Sequence, residues 1–290
     1  MGFRQFTNSL NSILGNPHIN RGKGIVRHLH WQYLKAFNRF PLELDISRSR
    51  IIAAHKRCGV SALIYSQHLY DYNNMKLLQL LLDDGGVFFD VGANIGSYSL
   101  IASEQETVEV VAFEPHPMTF GLLQANVQRN QRRNVRLFNV ALGSGNGTME
   151  LTNVPGSAMN HRTVRKTEGS VPVQCLRADS VCQEIDRVPT VVKIDVEGFE
   201  YDVLEGFGEQ LRSIETIFIE MNGLSDERSG GEKEIHRLLV ANQFTGPMFC
   251  DFDRRTLTSI KRGSEDAVYI GVDGMEALRR REIQLMDIRS

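Results

Sequence analysis

One stretch constrains the fold more than any other: Val87-Phe88-Phe89-Asp90-Val91-Gly92-Ala93-Asn94-Ile95-Gly96-Ser97. Apolar, mostly β-prone residues run into an acid, and two glycines bracket a turn. Tyr98-Ser99-Leu100-Ile101-Ala102 then opens a helix. Buried strand, glycine turn and helix, in that order, is how parallel α/β sheets build a cofactor site at the carboxyl end of their first strand. The glycines let backbone N–H groups approach a ligand, and the helix N-terminus adds positive potential.

The turn also discriminates between ligands. A dinucleotide site requires G-x-G-x-x-G, whose middle glycine leaves room for the pyrophosphate. Here that position is Asn94, and Asp90 closes the strand where a dianion would be repelled. A carboxylate suits an ammonium or a sulfonium, and S-adenosylmethionine carries both. The spacing therefore favours that cofactor over NAD; the alternative is that Asp90 only caps the helix behind it. Val108 to Phe113 reads as the next strand and ends at Glu114-Pro115. An acid about 20 residues past the glycine turn is placed to accept ribose hydroxyls.

Phe89-Asp90-Val91-Gly92-Ala93-Asn94-Ile95-Gly96, Phe113-Glu114-Pro115 and Lys193-Ile194-Asp195-Val196-Glu197-Gly198 resemble, in this order, the motifs of the FkbM family of methyltransferases. The resemblance runs from about Tyr65 to Asp273. It implies an α/β fold with a Rossmann-like class I methyltransferase sheet: mostly parallel, last strand antiparallel, helices on both faces. It also implies methylation of a hydroxyl on a sugar, glycan or natural product. Residues 1–64 form a small N-terminal extension, a candidate lid, and residues 65–290 the S-adenosylmethionine-dependent domain.

The expected cofactor-binding set is Asp90, Gly92, Ala93, Asn94, Gly96, Ser99, Glu114, Pro115, Asn139, Ala141 and Asp195. Asn139 falls where class I methyltransferases contact adenine, and its amide offers a donor and an acceptor. Asp195 and Glu197 are the catalytic candidates. One would orient the cofactor or Lys193, and the other would take the hydroxyl proton. Asp195, Glu220 and Asn222 could together ligate Mg²⁺, but Met221 interrupts the adjacent Asp-Asn of magnesium-dependent enzymes, so no metal is expected. His116 and His161 are secondary candidates. A nucleotide-binding oxidoreductase and a non-catalytic S-adenosylmethionine-binding protein are the alternatives.

Composition excludes other classes. With 33 Lys and Arg against 35 Asp and Glu there is no global basic field to recruit nucleic acid, and no Asn/Asp-Pro-Pro-aromatic motif follows the fourth strand. Four scattered cysteines show no zinc spacing and fit a reducing compartment. No run is long enough to span a bilayer and no secretory core is evident, so a cytoplasmic location is expected. The oligomeric state is not readable.

The remaining elements follow from periodicity. Helices are expected near Arg27 with Leu29, Tyr33 and Phe37 on one side, over Asp71–Asp83, over Thr119–Asn130 with Thr119 near the cap, and over Glu232–Ala241. Strands are expected at Phe40–Ile46 with a hairpin partner, Val135–Leu142, Pro189–Ile194, Ser213–Glu220, Phe244–Phe252 and Ala267–Val272. Asp179 reads as a helix cap, Glu276–Met286 as a charged surface helix, and the loop from Thr152 to Ser170 as an acceptor contact.

Overall fold

The computed structural model describes residues 10–11, 13–56, 58–151, 162–163, 170–221, 231–261 and 266–286. Its centre is a nine-stranded sheet. Seven strands carry the expected plan: β5 (Val135–Phe138), β4 (Val108–Phe113), β3 (Gly86–Val91), β10 (Val191–Ile194), β11 (Thr216–Glu220), β14 (Asp266–Ile270) and β12 (Thr245–Asp251), in that spatial order. Among them β14 alone runs antiparallel to its neighbours.

The sheet has two covered faces because successive strand residues point opposite ways. Phe88, Val110 and Ala112 join one core, and Phe89, Val111 and Phe113 the other. The first core includes residues of α3 (Tyr72–Leu81) and α4 (Ser97–Ala102). The second includes residues of α6 (Ala178–Ile185), α7 (Glu200–Gly206) and α8 (Gly231–Ala241). The helix after β4 is α5 (Pro117–Arg129); proline takes its first turn, and His116 rather than Thr119 is the N-cap residue.

The N-terminal elements are α1 (Arg21–Ala36), the hairpin β1–β2 (Leu42–Ile46, Ser49–Ala53) and α2 (Gly59–Gln67). Trp31, Leu44, Ile46 and Ile51 belong to the same core as Phe88. The hairpin is tied to the end of α4 through Glu104, which accepts from Arg48 N at 2.7 Å, Ser47 Oγ at 2.8 Å and Ser49 Oγ at 3.0 Å. Leu29, Tyr33 and Phe37 do share a side, but it is the solvent side; His28, Trp31 and Leu34 are the buried ones.

Three expectations are corrected. The run Val135–Leu142 is not one strand: the chain leaves the main sheet after Phe138, and β6 (Ala141–Leu142) joins a separate sheet with β7 (Gly147–Leu151), β8 (Arg162–Thr163) and β9 (Val171–Leu176). The C-terminal helix α9 lies earlier, at Val272–Arg280, with Ala277 and Leu278 buried. Gln284–Met286 is a strand, β15, parallel to β13 (Thr256–Thr258), and these two extend the main sheet beyond β12. Asp179 does not cap α6; it forms a salt bridge with the N-cap residue Arg177 at 2.6 Å. Among the described residues no helix is long and apolar enough to cross a membrane.

Candidate active site

Parallel register brings the chemistry to one rim. Lys193 pairs with Asp90 across β10 and β3, Ile194 pairs with Ile219 across β10 and β11, and Glu220 pairs with Asp266 across β11 and β14. The residues that follow β3, β4 and β10 therefore open into one cavity of 560 Å³. Its walls include Gly92, Asn94, Glu114, Pro115, Ala141, Asp195, Glu197 and Glu220. Asp90, Ala93, Gly96, Ser99 and Asn139 lie outside the lining.

The glycine turn is built differently from the expectation. Gly92 N and Ala93 N both donate to Phe113 O, at 3.0 and 2.9 Å, and Asn94 N donates to Glu114 Oε2 at 3.0 Å. These N–H groups hold the turn itself. Gly92 (φ +83°) is needed because a Cβ would collide with the carbonyl oxygen of Asp195, and Gly96 (φ +91°) because one would stand 2.6 Å from Leu123 Cδ1. Asn94 also adopts a left-handed conformation, φ +52°.

Beneath the turn, Asp90 is buried and accepts from Ser99 Oγ at 2.5 Å. Burial pushes its carboxyl up to about 6, against the opposing pull of Ser99 and Lys193. Glu114 spans the loop after β4, accepting from His116 N at 2.9 Å as well as from Asn94 N. Burial raises it to about 7, and those two backbone donors only partly offset the shift. Asn139 donates its amide to Glu114 O at 2.8 Å and Pro115 O at 3.0 Å, so its donor side braces the loop.

The floor is an ionic network. Lys193 is 5% exposed; Nζ lies 2.9 Å from Asp195 Oδ2, 3.6 Å from Asp266 Oδ2 and 4.8 Å from the Tyr98 ring centre. Burial alone would lower the pKa of this ammonium, but Asp195 and Asp266 outweigh it and raise it well above its ordinary value. Above Lys193, carboxylate oxygens of Asp195, Glu197 and Glu220 come within 4.8 Å of one another. Burial, then repulsion from Asp195 and Glu197, raises Glu220, whose Oε2 is buried with no hydrogen-bond partner among the described residues. Glu197 sits at φ +56°, a strained setting for a non-glycine residue and one common at functional sites.

Sequence reasoning missed several contributors. Tyr70 lines the cavity and shares a hydrogen bond with Ser97 Oγ at 2.9 Å; Asp71 accepts from Tyr98 Oη. Gly59, Val60 and Leu63 of α2 form another wall. None of these lies in a motif, and only the packing of the N-terminal elements reveals them. His116 is buried beside the cavity. His161, Asn222 and most of the Thr152–Ser170 loop lie outside the described residues.

Residues 90–246, more than half of the chain, match the sequence model described as the methyltransferase FkbM domain. The hexuronic acid methyltransferase AglP of Haloferax volcanii is 33% identical over 157 residues, 52% of this chain and 64% of that enzyme. The 31-O-demethyl-FK506 methyltransferase FkbM of Streptomyces tacrolimicus is 39% identical over 79 residues, 27% of this chain and 30% of that one. The chain thus spans less than two thirds of the length of either relative. Among solved structures, the precorrin-6y C5,15-methyltransferase of Geobacter metallireducens aligns with a TM-score of 0.40 at 17% identity, covering 61% of this chain and 73% of that one.

Proposed function

Because the chain belongs to the FkbM family of methyltransferases, we propose that it transfers a methyl group from S-adenosylmethionine to a hydroxyl of a sugar, glycan or natural product. The observation that carries this reading is the gathering of Glu114, Asp195, Glu197 and Glu220 around one cavity at the carboxyl rim of a parallel sheet. Relatives named for a hexuronic acid and for 31-O-demethyl-FK506 support the acceptor class.

The residues fit the cofactor. A 560 Å³ cavity is within the usual range for a ligand of this size. Each Glu114 oxygen accepts one backbone N–H, which leaves lone pairs for ribose hydroxyls. Net negative walls suit a sulfonium better than a pyrophosphate. When bound, S-adenosylmethionine supplies an electrophilic methyl carbon, whose bond to sulfur breaks as the acceptor oxygen's electron pair forms the new one.

The chain's own work is positioning and proton handling. An aliphatic hydroxyl is a weak nucleophile and must lose its proton during transfer. Asp195 is already committed to Lys193, so we assign it to positioning and assign Glu197 to taking that proton. Burial, and after it the two acidic neighbours, push the Glu220 pKa up to about 9, which limits the negative charge that the trio sets against Lys193.

A second reading is favoured by one observation: three carboxylates within 4.8 Å could ligate a hard divalent cation that acidifies the hydroxyl. We rank it below the proton route because Lys193 already pairs with Asp195 at 2.9 Å and the raised pKa of Glu220 relieves the crowding. Calorimetry with S-adenosylhomocysteine and with NAD tests the primary reading. We expect micromolar binding of the first, about −8 kcal/mol at 1 μM, and none of the second. Equal binding of NAD would overturn it. Transfer of labelled methyl into a glycan or metabolite extract would identify the acceptor.

A further inference from the structure

Amphipathic helices of folded domains turn their apolar side inward. Helix α1 buries Gly24, His28, Trp31 and Leu34, yet it carries a second apolar stripe on the opposite side. Val26 is 66% exposed, Leu29 53%, Tyr33 50% and Phe37, directly after the helix, 62%. At 3.6 residues per turn these four lie on one line, with Gly22 one turn before them and Ala36 beside them. The Tyr33 and Phe37 rings pack on each other at 4.6 Å, so the stripe has a continuous aromatic end.

The charge around this stripe is one-sided. Residues 1–42 hold six Lys or Arg and no Asp or Glu, whereas residues 43–290 hold 27 against 35. Lys23 and Arg27 follow the flank of the stripe, and Arg39 is exposed just past its end. Lys23 and Arg27 also line a 360 Å³ cavity with His18 and His68. Aromatic and aliphatic residues in line, with cations along the border, are the composition of a helix that lies in a lipid interface.

We propose that α1 docks the protein peripherally on an anionic lipid surface, with Val26, Leu29, Tyr33 and Phe37 entering the headgroup boundary and the basic flank meeting the phosphates. A second copy of the chain fits the face less well, because pairing α1 with itself would oppose like charges. Docking here would set the reaction cavity close to the membrane. Helix α2 packs directly behind α1, through His30 Nδ1 to Tyr65 Oη at 2.6 Å and Trp31 against Tyr65 at 5.3 Å, and its Gly59, Val60 and Leu63 wall the cavity.

Co-sedimentation of the full chain with vesicles tests this without any activity assay. Vesicles of phosphatidylcholine with one-third phosphatidylglycerol should pull the protein down, pure phosphatidylcholine should do so at least about tenfold less, and high salt should release it. Leu29→Glu with Phe37→Glu touches only exposed side chains and should reduce binding at least about tenfold with an unchanged circular dichroism spectrum; Lys23→Glu with Arg39→Glu should act likewise on the anionic vesicles. Failure to bind anionic vesicles would overturn the proposal and leave the stripe to a protein partner. Unchanged binding of both variants would overturn it as well. So would a lipid-free dimer, seen by light scattering, that Leu29→Glu with Phe37→Glu dissolves.

Discussion

The carbonyl oxygen of Asp195 occupies the space that a side chain on Gly92 would need. The cofactor turn and the catalytic turn are therefore packed together, backbone against backbone. Gly92→Ala adds this collision to a φ of +83° that L-residues avoid. We expect it to cost about 3 kcal/mol or more of stability, read from urea midpoints. A loss below about 1 kcal/mol would mean that the two turns can separate.

Glu114→Gln tests the loop after β4. The substitution turns one acceptor into a donor facing a backbone N–H, of Asn94 or His116, and should cost about 1–3 kcal/mol. The pH dependence has a definite sign. Burial raises the Glu114 pKa to about 7, so between the ordinary carboxylate range and pH 7 the folded chain holds a proton that the unfolded chain has lost. Wild-type stability then falls as pH rises through this window, whereas glutamine does not titrate. The deficit of Glu114→Gln should be largest near pH 4 and shrink toward pH 8; a deficit growing over that range would contradict the assignment.

Lys193→Met removes the cation shared by Asp195 and Asp266 while keeping much of the volume. Asp266 is nearly enclosed but the Asp195 side chain is 39% exposed, so solvent softens the loss to about 3 kcal/mol near neutrality. Acidification should restore part of this, because the stranded carboxyls can then protonate. Equal destabilisation at pH 5 and pH 8 would refute the pairing as the cause.

Glu197→Gln should lower turnover by about 10²–10⁴ while leaving affinity for S-adenosylhomocysteine within about threefold. Asp195→Asn should lose turnover by a similar factor and also weaken that affinity. A loss of tenfold or less for both would move attention to His116, buried beside the same cavity.

Chelation separates the two routes to a deprotonated acceptor. We expect turnover to survive EDTA and to rise with pH as a single base ionises. Activity abolished by EDTA and restored by Mg²⁺ would make Asp195, Glu197 and Glu220 ligands instead.

Much of the sheet was legible in the sequence because its central strands are buried on both faces. Val87-Phe88-Phe89 is an apolar run and Val191-Val192-Lys193-Ile194 one broken only by Lys193, and each ends in an acid. The break after Phe138 was not legible. Asn139-Val140-Ala141-Leu142 continues the strand pattern, and only pairing of Ala141 with Cys175 shows that the chain has changed sheets. The C-terminal strand was hidden for a related reason: Gln284-Leu285-Met286 is too short to show a period, and β13 supplies its register. At the site, motif residues marked the rim, but their partners came from elsewhere. Asp266 reaches Lys193 from the antiparallel strand, and Tyr70 comes from the segment before α3. Such contacts join positions far apart in the chain, where no local spacing rule operates.

Glu104 gives the N-terminal segment a receptor on the other side of the chain. Its carboxylate takes the turn of the β1–β2 hairpin as a lock takes a key, and Ile52 N finds a second fixed acceptor in Asn126 Oδ1 at 2.8 Å. Exchange of residues 1–64 between relatives would thus carry only half of a matched set. A chimera that transplants the hairpin without the residues at 104 and 126 leaves the donors Ser47 Oγ, Arg48 N, Ser49 Oγ and Ile52 N without the acceptors they meet here. The heritable module here is discontinuous: a segment together with two distant positions, which a single crossover just after residue 64 cannot move intact.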